Sequence, residues 1–322
     1  MQQYIIQRLV LTIPVLFLVV SLVFVATRVI QPGFAEQRAA RSLTSTESFE
    51  NAVLTIKRKI GTDKPLWKQY GFYLKDVSTF NFGKSLQTQQ PVISELKSRL
   101  GPSIELGILQ ILIAGVISLP IGIIAAIRQD SWIDYVLRFS AVLGLAIPSF
   151  YLGTLMLIVS FKWLNWAPPL TILGYRGFFD DPVQNLQMML LPALAGGFAS
   201  AAIIMRLLRS QLLEVLREDY VRTAWAKGLR ERTVITRHAL KNALIPVLTI
   251  LGLLVAILFG GNVILESMFS IPGAGQFIVI SMQNNDFPVV QGLILIIAIV
   301  LVLTNLVIDI SYAWLDPRIR YG

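Results

Sequence analysis

The residues from Ser103 to Ile127 read SIELGILQILIAGVISLPIGIIAAI, and Glu105 is the one ionisable group among them. A helix needs roughly 20 mainly apolar residues to cross a hydrocarbon core about 30 Å thick, and this run supplies them. Five further stretches qualify, at about Leu9 to Val29, Val136 to Leu164, Leu186 to Met205, Ala243 to Leu265 and Val289 to Trp314. The fold class read from this pattern is all-α and integral to a membrane, with six transmembrane helices. Composition agrees. The chain is 55% hydrophobic and only 15% charged, too little polar surface to keep a soluble protein of this length in solution. Arg8 ahead of the first apolar run raises a cleaved signal peptide as an alternative. The run is too long for an h-region and no convincing A-x-A site follows, so a retained span is expected.

Orientation follows from Lys and Arg in short loops. Between the fourth and fifth spans lie Arg206, Arg209, Arg217, Arg222, Lys227, Arg230 and others, and with six spans they share one side with Arg8, Arg128, Arg138, Arg318 and Arg320. The opposite short loops hold only Lys162 and Arg176. Both termini are expected in the cytoplasm, and the net charge of +9 reflects this bias, with no nucleic-acid partner implied. Residues 31–102 are also basic on the predicted outside, but long translocated segments are largely exempt from the rule. The expected organisation is an anchor helix at 1–30, an extracytoplasmic segment at 31–102, a five-helix core at 103–315 and a tail at 316–322. The aromatics Trp67, Tyr70, Phe72, Tyr73, Phe80 and Phe82 point to a small packed lobe or a layer at the membrane interface.

Several chemistries are excluded. There is no cysteine and a single histidine, His238, so disulfides, thiolate sites and histidine metal clusters are ruled out. No G-x-x-x-x-G-K-[ST] run occurs, and Gly273-Ala274-Gly275 lacks the third glycine and the βαβ setting of a dinucleotide fingerprint. No catalytic residue, metal or cofactor is expected on this chain. Pro120, Pro148, Pro192 and Pro246 fall in or near apolar stretches, where each removes a helical hydrogen bond and favours a kink. Glu105, Glu266 and Asp309 are the ionisable groups at span ends. Gly260 and Gly261 precede Glu266, and Pro272-Gly273 follow it. These three residues, Glu266, Gly260 and Gly261, form a candidate outer gate or a contact for a cationic substrate end. The plainer alternative is that such carboxylates reach interfacial water or pair locally.

The segment Arg206–Leu244 carries the most information. Gln211–Arg230 has apolar residues at Leu212, Leu213, Val215, Leu216, Tyr220, Val221, Ala224 and Trp225, a helical stripe. Gly228 ends it, and a second helical stretch, Glu231–Leu240, is expected to lead into span five. Arginines beside helix ends explain the charge but not Trp225, the alanines or the central glycine. A structured amphipathic loop of this length suits docking into a soluble partner.

The run Asp219-Tyr220-Val221-Arg222-Thr223-Ala224-Trp225-Ala226-Lys227-Gly228-Leu229 resembles the "EAA" coupling loop of ABC-importer permeases, followed by Arg237-His238-Ala239-Leu240-Lys241-Asn242-Ala243-Leu244-Ile245-Pro246. Alignment on Gly228 sets Arg222-Thr223-Ala224 at the E-A-A positions, where only Ala224 matches the general form. The variant is similar to that of permeases for dipeptides, oligopeptides and nickel. Met1–Leu9, Asp63–Tyr70, Phe82–Ser85, Pro272–Gly275, Asp286–Gly292 and Asp309–Arg320 resemble other stretches of that family in order and spacing, whereas residues 34–60 match poorly. The resemblance implies a type I importer permease fold with an extracytoplasmic insertion after helix 1, in a bacterial cytoplasmic (inner) membrane. It implies a second homologous permease, two P-loop ATPases that hold ATP and Mg, and a solute-binding protein. Arg222, Lys227 and Arg230 would pair with acidic groups on an ATPase, Ala224, Ala226 and Gly228 would permit close approach, and Trp225 would anchor. The implied cargo is a peptide, with nickel or another metal chelate, glutathione or a sugar as alternatives. An ion-coupled transporter would show buried acids and inverted repeats, an intramembrane enzyme a nucleophile with its base, and a channel a filter motif. None is evident.

Overall fold

The computed structural model describes residues 2–26, 51, 53–54, 57–58, 61–169, 174–259, 262–284 and 286–315, with side chains described at 10–26, 51, 53–54, 57–58, 61–169, 174–255, 262–284 and 286–307. Helices carry nearly all of it. They are α1 (Gln2–Val25), α2 (Leu66–Ser78), α3 (Val92–Ile127), α4 (Trp132–Ala146), α5 (Ser149–Trp163), α6 (Pro182–Val215), α7 (Asp219–Ala226), α8 (Leu240–Phe259), α9 (Val263–Met268), α10 (Ala274–Gln283) and α11 (Phe287–Leu315). A short turn, Glu231–Thr233, and a π-helical turn, Val234–Ala239, lead into α8. Among the described residues the sole β feature is an isolated bridge between Lys84 and Pro91.

The chain is an all-α membrane protein. The stretches Val92–Ile127, Pro182–Val215, Glu231–Val255 and Phe287–Val307 are each long and apolar enough to cross a bilayer, and α4 with α5 makes a fifth, bent by 101°. In α1 the apolar stretch with described side chains is shorter, Val10–Val25. Large apolar side chains stand exposed on these helices, among them Val116 on α3 at 74% and Phe139 on α4 at 64%. Water would not tolerate such surface over whole helices, whereas lipid and partner helices do.

Three elements differ from expectation. The third span, read as one helix over 136–164, is two helices meeting at an elbow. Ile147 is extended (φ −89°, ψ 118°) because the ring of Pro148 disfavours the helical region for the residue before it. Pro148 then starts α5. Pro120, Pro192 and Pro246 sit inside α3, α6 and α8 without ending them. Second, α3 begins at Val92 and runs through Pro102, so the boundary expected at residue 102 falls inside a helix. Third, the stripe over Gln211–Arg230 is divided. The chain leaves α6 through a tight turn at 216–218, and Glu218 is extended (φ −68°, ψ 146°) ahead of α7. Asp219 in the first turn of α7 complements the positive end of the new helix.

The centre is the α3–α6 pair, which small residues allow to approach closely. A Cβ at Gly196 would lie 2.3 Å from Gln110 Nε2, and one at Gly197 2.7 Å from Ile113 Cγ2. Gln110 is fully buried and donates to the carbonyl of Pro192 at 3.4 Å. Toward the loop end, Ile204, Leu208 and Leu212 of α6 pack with Ala239, Ala243 and Val247 on the path into α8. Toward the other end, Leu106, Met189, Ala193 and Ile271 form one cluster, and Val92, Leu96, Ala274, Val289 and Leu293 another.

Candidate functional site

The helix α7 has two faces. Val221 and Ala224 lie three apart, on one side of a helix. They are 0% and 3% exposed, packed on Val234 of the π turn with Val215, Leu216 and Leu229 around them. The other face exposes Asp219, Tyr220, Arg222, Thr223, Trp225, Ala226 and Lys227. Trp225 keeps 44% of its surface open and Tyr220 41%. Asn242 Nδ2 donates to Tyr220 Oη at 2.6 Å, which ties α7 to the start of α8. Arg222 stands 3.6 Å from Asp219 on the helix surface. Thr223 Oγ1 donates to the carbonyl of Asp219.

Gly228 follows α7 at φ +71°, and a Cβ there would meet nothing within 4 Å. The glycine thus serves the left-handed turn and not a close contact. Leu229 is half-buried beneath it. Ala224 departs from its expected role, since its methyl is spent on Val234 and does not face outward. Ala226, Trp225 and the charged residues remain available.

Between the last turns of α6 and the start of α7 lies a groove of about 530 Å³, lined by Arg209, Ser210, Leu213, Glu214, Arg217, Glu218, Asp219 and Arg222. Arg209 reaches back from it to α4. Its Nε and Nη2 donate to the two carboxylate oxygens of Asp134 at 2.7 and 2.6 Å. Asp134 is fully buried, accepts the Asp130 N–H as well, and lies 3.6 Å from Arg138. This fork-on-carboxylate pair was not singled out in the sequence. Its only trace is an arginine and an aspartate at the ends of two apolar runs.

At the opposite end of α3, Glu266 is fully buried. Ser103 Oγ donates to its Oε1 at 2.7 Å, and the Gln276 N–H donates to its Oε2 at 2.8 Å. Ser103 Oγ in turn accepts the Ala274 N–H at 2.7 Å. The carboxylate therefore caps the start of α10 and staples α9 and α10 to α3. Both oxygens accept from the chain's own donors, and in this arrangement the side chain is fully buried. Gly260 and Gly261 lie outside the described residues, as does the side chain of Asp309. Glu105 pairs locally, accepting the hydroxyl of Tyr175.

A further clasp joins segments that the sequence separates. Asp286 is buried and accepts the hydroxyl of Ser85, together with the N–H groups of Leu86 at 3.1 Å and Gln87 at 3.3 Å. The stretches Phe82–Ser85 and Asp286–Gly292 thus meet at one carboxylate.

Residues 118–321, more than half of the chain, match the family described as binding-protein-dependent transport system inner membrane component. Over the whole of both chains, the sequence is 37% identical to the dipeptide transport system permease protein DppB of Alkalihalophilus pseudofirmus. It is 36% identical, again over the whole of both, to the glutathione transport system permease protein GsiC of Escherichia coli strain K12.

Proposed function

Because the chain belongs to the family of binding-protein-dependent transport system inner membrane components, we propose that Asp219–Leu229 is the surface through which partner ATPases drive it. The chain is a multi-pass permease subunit of an ABC importer in the inner membrane. The observation that carries the coupling role is the division of α7 into a buried seat, Val221 and Ala224, and an exposed face bearing Trp225 and Tyr220. A short helix seated on its own chain transmits a push to the helices behind it. An exposed tryptophan flanked by Arg222 and Lys227 is suited to anchor in a groove with acidic margins.

The remaining parts follow from this role. Two P-loop ATPases bear ATP and Mg, this chain having no ATP site of its own. A second homologous permease completes the pathway, and a solute-binding protein delivers cargo from outside. Both termini lie in the cytoplasm, as the Lys and Arg of the short loops direct. The cargo is a dipeptide or oligopeptide, supported by the dipeptide permease among the relatives. Glutathione, itself a short peptide, is the second reading, supported by the glutathione permease.

The chain has no cysteine, so a cysteine introduced at exposed Ala226, beside Trp225, is the only thiol on this chain and leaves the tryptophan in place. In gently solubilised membranes, Ala226→Cys treated with a short thiol–amine crosslinker is expected to join a P-loop ATPase, identified by mass spectrometry. Capture of no ATPase, with the same label joining only this chain or another permease, would remove the coupling assignment.

A further inference from the structure

The helix α2 is held by one face and presents the other. Tyr70 and Tyr73 face α1, where Tyr70 Oη lies 2.6 Å from Ser21 Oγ. The rings of Phe17 and Phe24 meet Tyr70 edge-on at 6.4 and 5.1 Å, and Phe24 packs on Tyr73 at 5.5 Å. Ser21 and Phe24 belong to the end of α1 away from its N-terminus, so α2 sits where that apolar helix leaves the bilayer. Around this contact α1 exposes Phe17, Leu18 and Leu22 at 54–59%, as a lipid-facing helix does. No side chain of α2 is buried.

On the side turned away from α1, three lysines and two aromatic rings converge. Lys64, Trp67, Lys68, Gly71, Phe72 and Lys75 line a groove of about 550 Å³. Trp67 is 71% exposed and Phe72 52%. The Lys64 ammonium lies 4.6 Å from the centre of the Phe72 ring and that of Lys68 5.1 Å from the Trp67 ring, within cation–π range. The acidic neighbours Asp63 and Asp76 are not among the lining residues. Exposed aromatics beside cationic side chains that lie along apolar surface are the chemistry of a headgroup layer, where rings face the acyl boundary and amines meet phosphate. The groove is opposite in charge to a phospholipid phosphate.

We infer that α2 is an interfacial helix whose Trp67, Lys68, Phe72 and Lys75 face, with Lys64 just ahead of the helix, binds the phosphate headgroup of an anionic phospholipid in the leaflet at the outer end of α1. This goes beyond the coupling role of α7 and rests only on the proposed orientation with the N-terminus in the cytoplasm. Bound lipid would fix the start of the segment that reaches on to Ser85 and Asp286.

The test uses the full chain, expressed with its partner subunits and placed in nanodiscs. Ser78→Cys carries a nitroxide, since Ser78 is exposed one turn beyond Lys75 on the same side of α2 and outside the groove lining. The expected result is that the label collides with dissolved oxygen more often than with a water-soluble nickel chelate. It becomes less mobile when phosphatidylcholine discs are replaced by discs containing phosphatidylglycerol. Replacing Lys64, Lys68 and Lys75 by Gln leaves the depth unchanged but abolishes the phosphatidylglycerol effect. It also lowers the phosphatidylglycerol retained on purification, by roughly fivefold per lysine. Inorganic phosphate added to phosphatidylcholine discs leaves the label unchanged. A label at residue 78 as open to the nickel chelate as one at exposed Lys97 would overturn the inference. So would shielding that appears only after a solute-binding protein is added, which would assign the face to a protein partner.

Discussion

Two glycines show how much a single residue means here. At Gly273 an added Cβ would stand 2.4 Å from Glu266 Cδ and 2.6 Å from Ser103 Oγ. Glu266 cannot swing away without surrendering the bonds that cap α10. Gly273→Ala is therefore expected to cost about 1–3 kcal/mol, read as a lower unfolding temperature in detergent. Gly228 is the reverse case, with open space but a left-handed backbone. Gly228→Ala should cost about 1 kcal/mol, and Gly228→Asn should recover most of it, because asparagine tolerates that conformation. The Asp134–Arg209 pair gives a second prediction. Removing Arg209 leaves the buried Asp134 carboxylate without its forked partner, so Arg209→Ala should destabilise by about 3–5 kcal/mol. Replacing both partners by apolar residues of similar size should cost less. Thermal unfolding of the four proteins completes the cycle. The sequence pointed to Glu266 as notable and to Gly228 as a helix stop. It did not reveal that Ser103 closes on the carboxylate against Gly273, because Ser103 and Glu266 stand 163 residues apart along the chain.

At the scale of elements, the coupling role proposed for α7 can be separated from stability. Val221 is fully buried beneath it, so Val221→Asp should unseat the helix, impairing both transport and the thermal stability of the loop end. Trp225→Ala removes a half-exposed ring and should leave stability nearly unchanged. Loss of a binding hot spot, about 2 kcal/mol or more, should then weaken ATPase association and solute uptake by an order of magnitude. Uptake assays beside pull-downs of the ATPase read the two variants apart. Apolar runs of 20 residues declared the membrane helices directly, since length and hydropathy are local properties. The same reasoning merged α4 with α5, because an apolar count is blind to the backbone angle that Pro148 imposes on Ile147. It also merged the end of α6 with α7, because the stripe of Leu212, Leu216 and Trp225 continues in sequence across a turn that breaks the helix.

Across the whole molecule, carboxylates at the far ends of helices tie the parts together. Asp286 holds Ser85, Leu86 and Gln87, segments about 200 residues apart. Asp286→Ala should release that attachment while leaving the α3–α6 core intact. Limited proteolysis is the measurement, with faster cutting near residues 83–91 and an unchanged core fragment as the expected outcome. Both stretches were visible as motifs, yet nothing in one sequence said that they meet. The elbow at Ile147–Pro148 has a consequence of another kind. It falls near the middle of the apolar run 136–164, and its residues are not buried within this chain. A helix break strands backbone carbonyls on one side and amides on the other, and acyl chains offer them nothing to bond with. The elbow therefore has to be wetted or covered by another polypeptide, so one flank of the subunit that looks greasy in composition is, at this depth, closed to the oil.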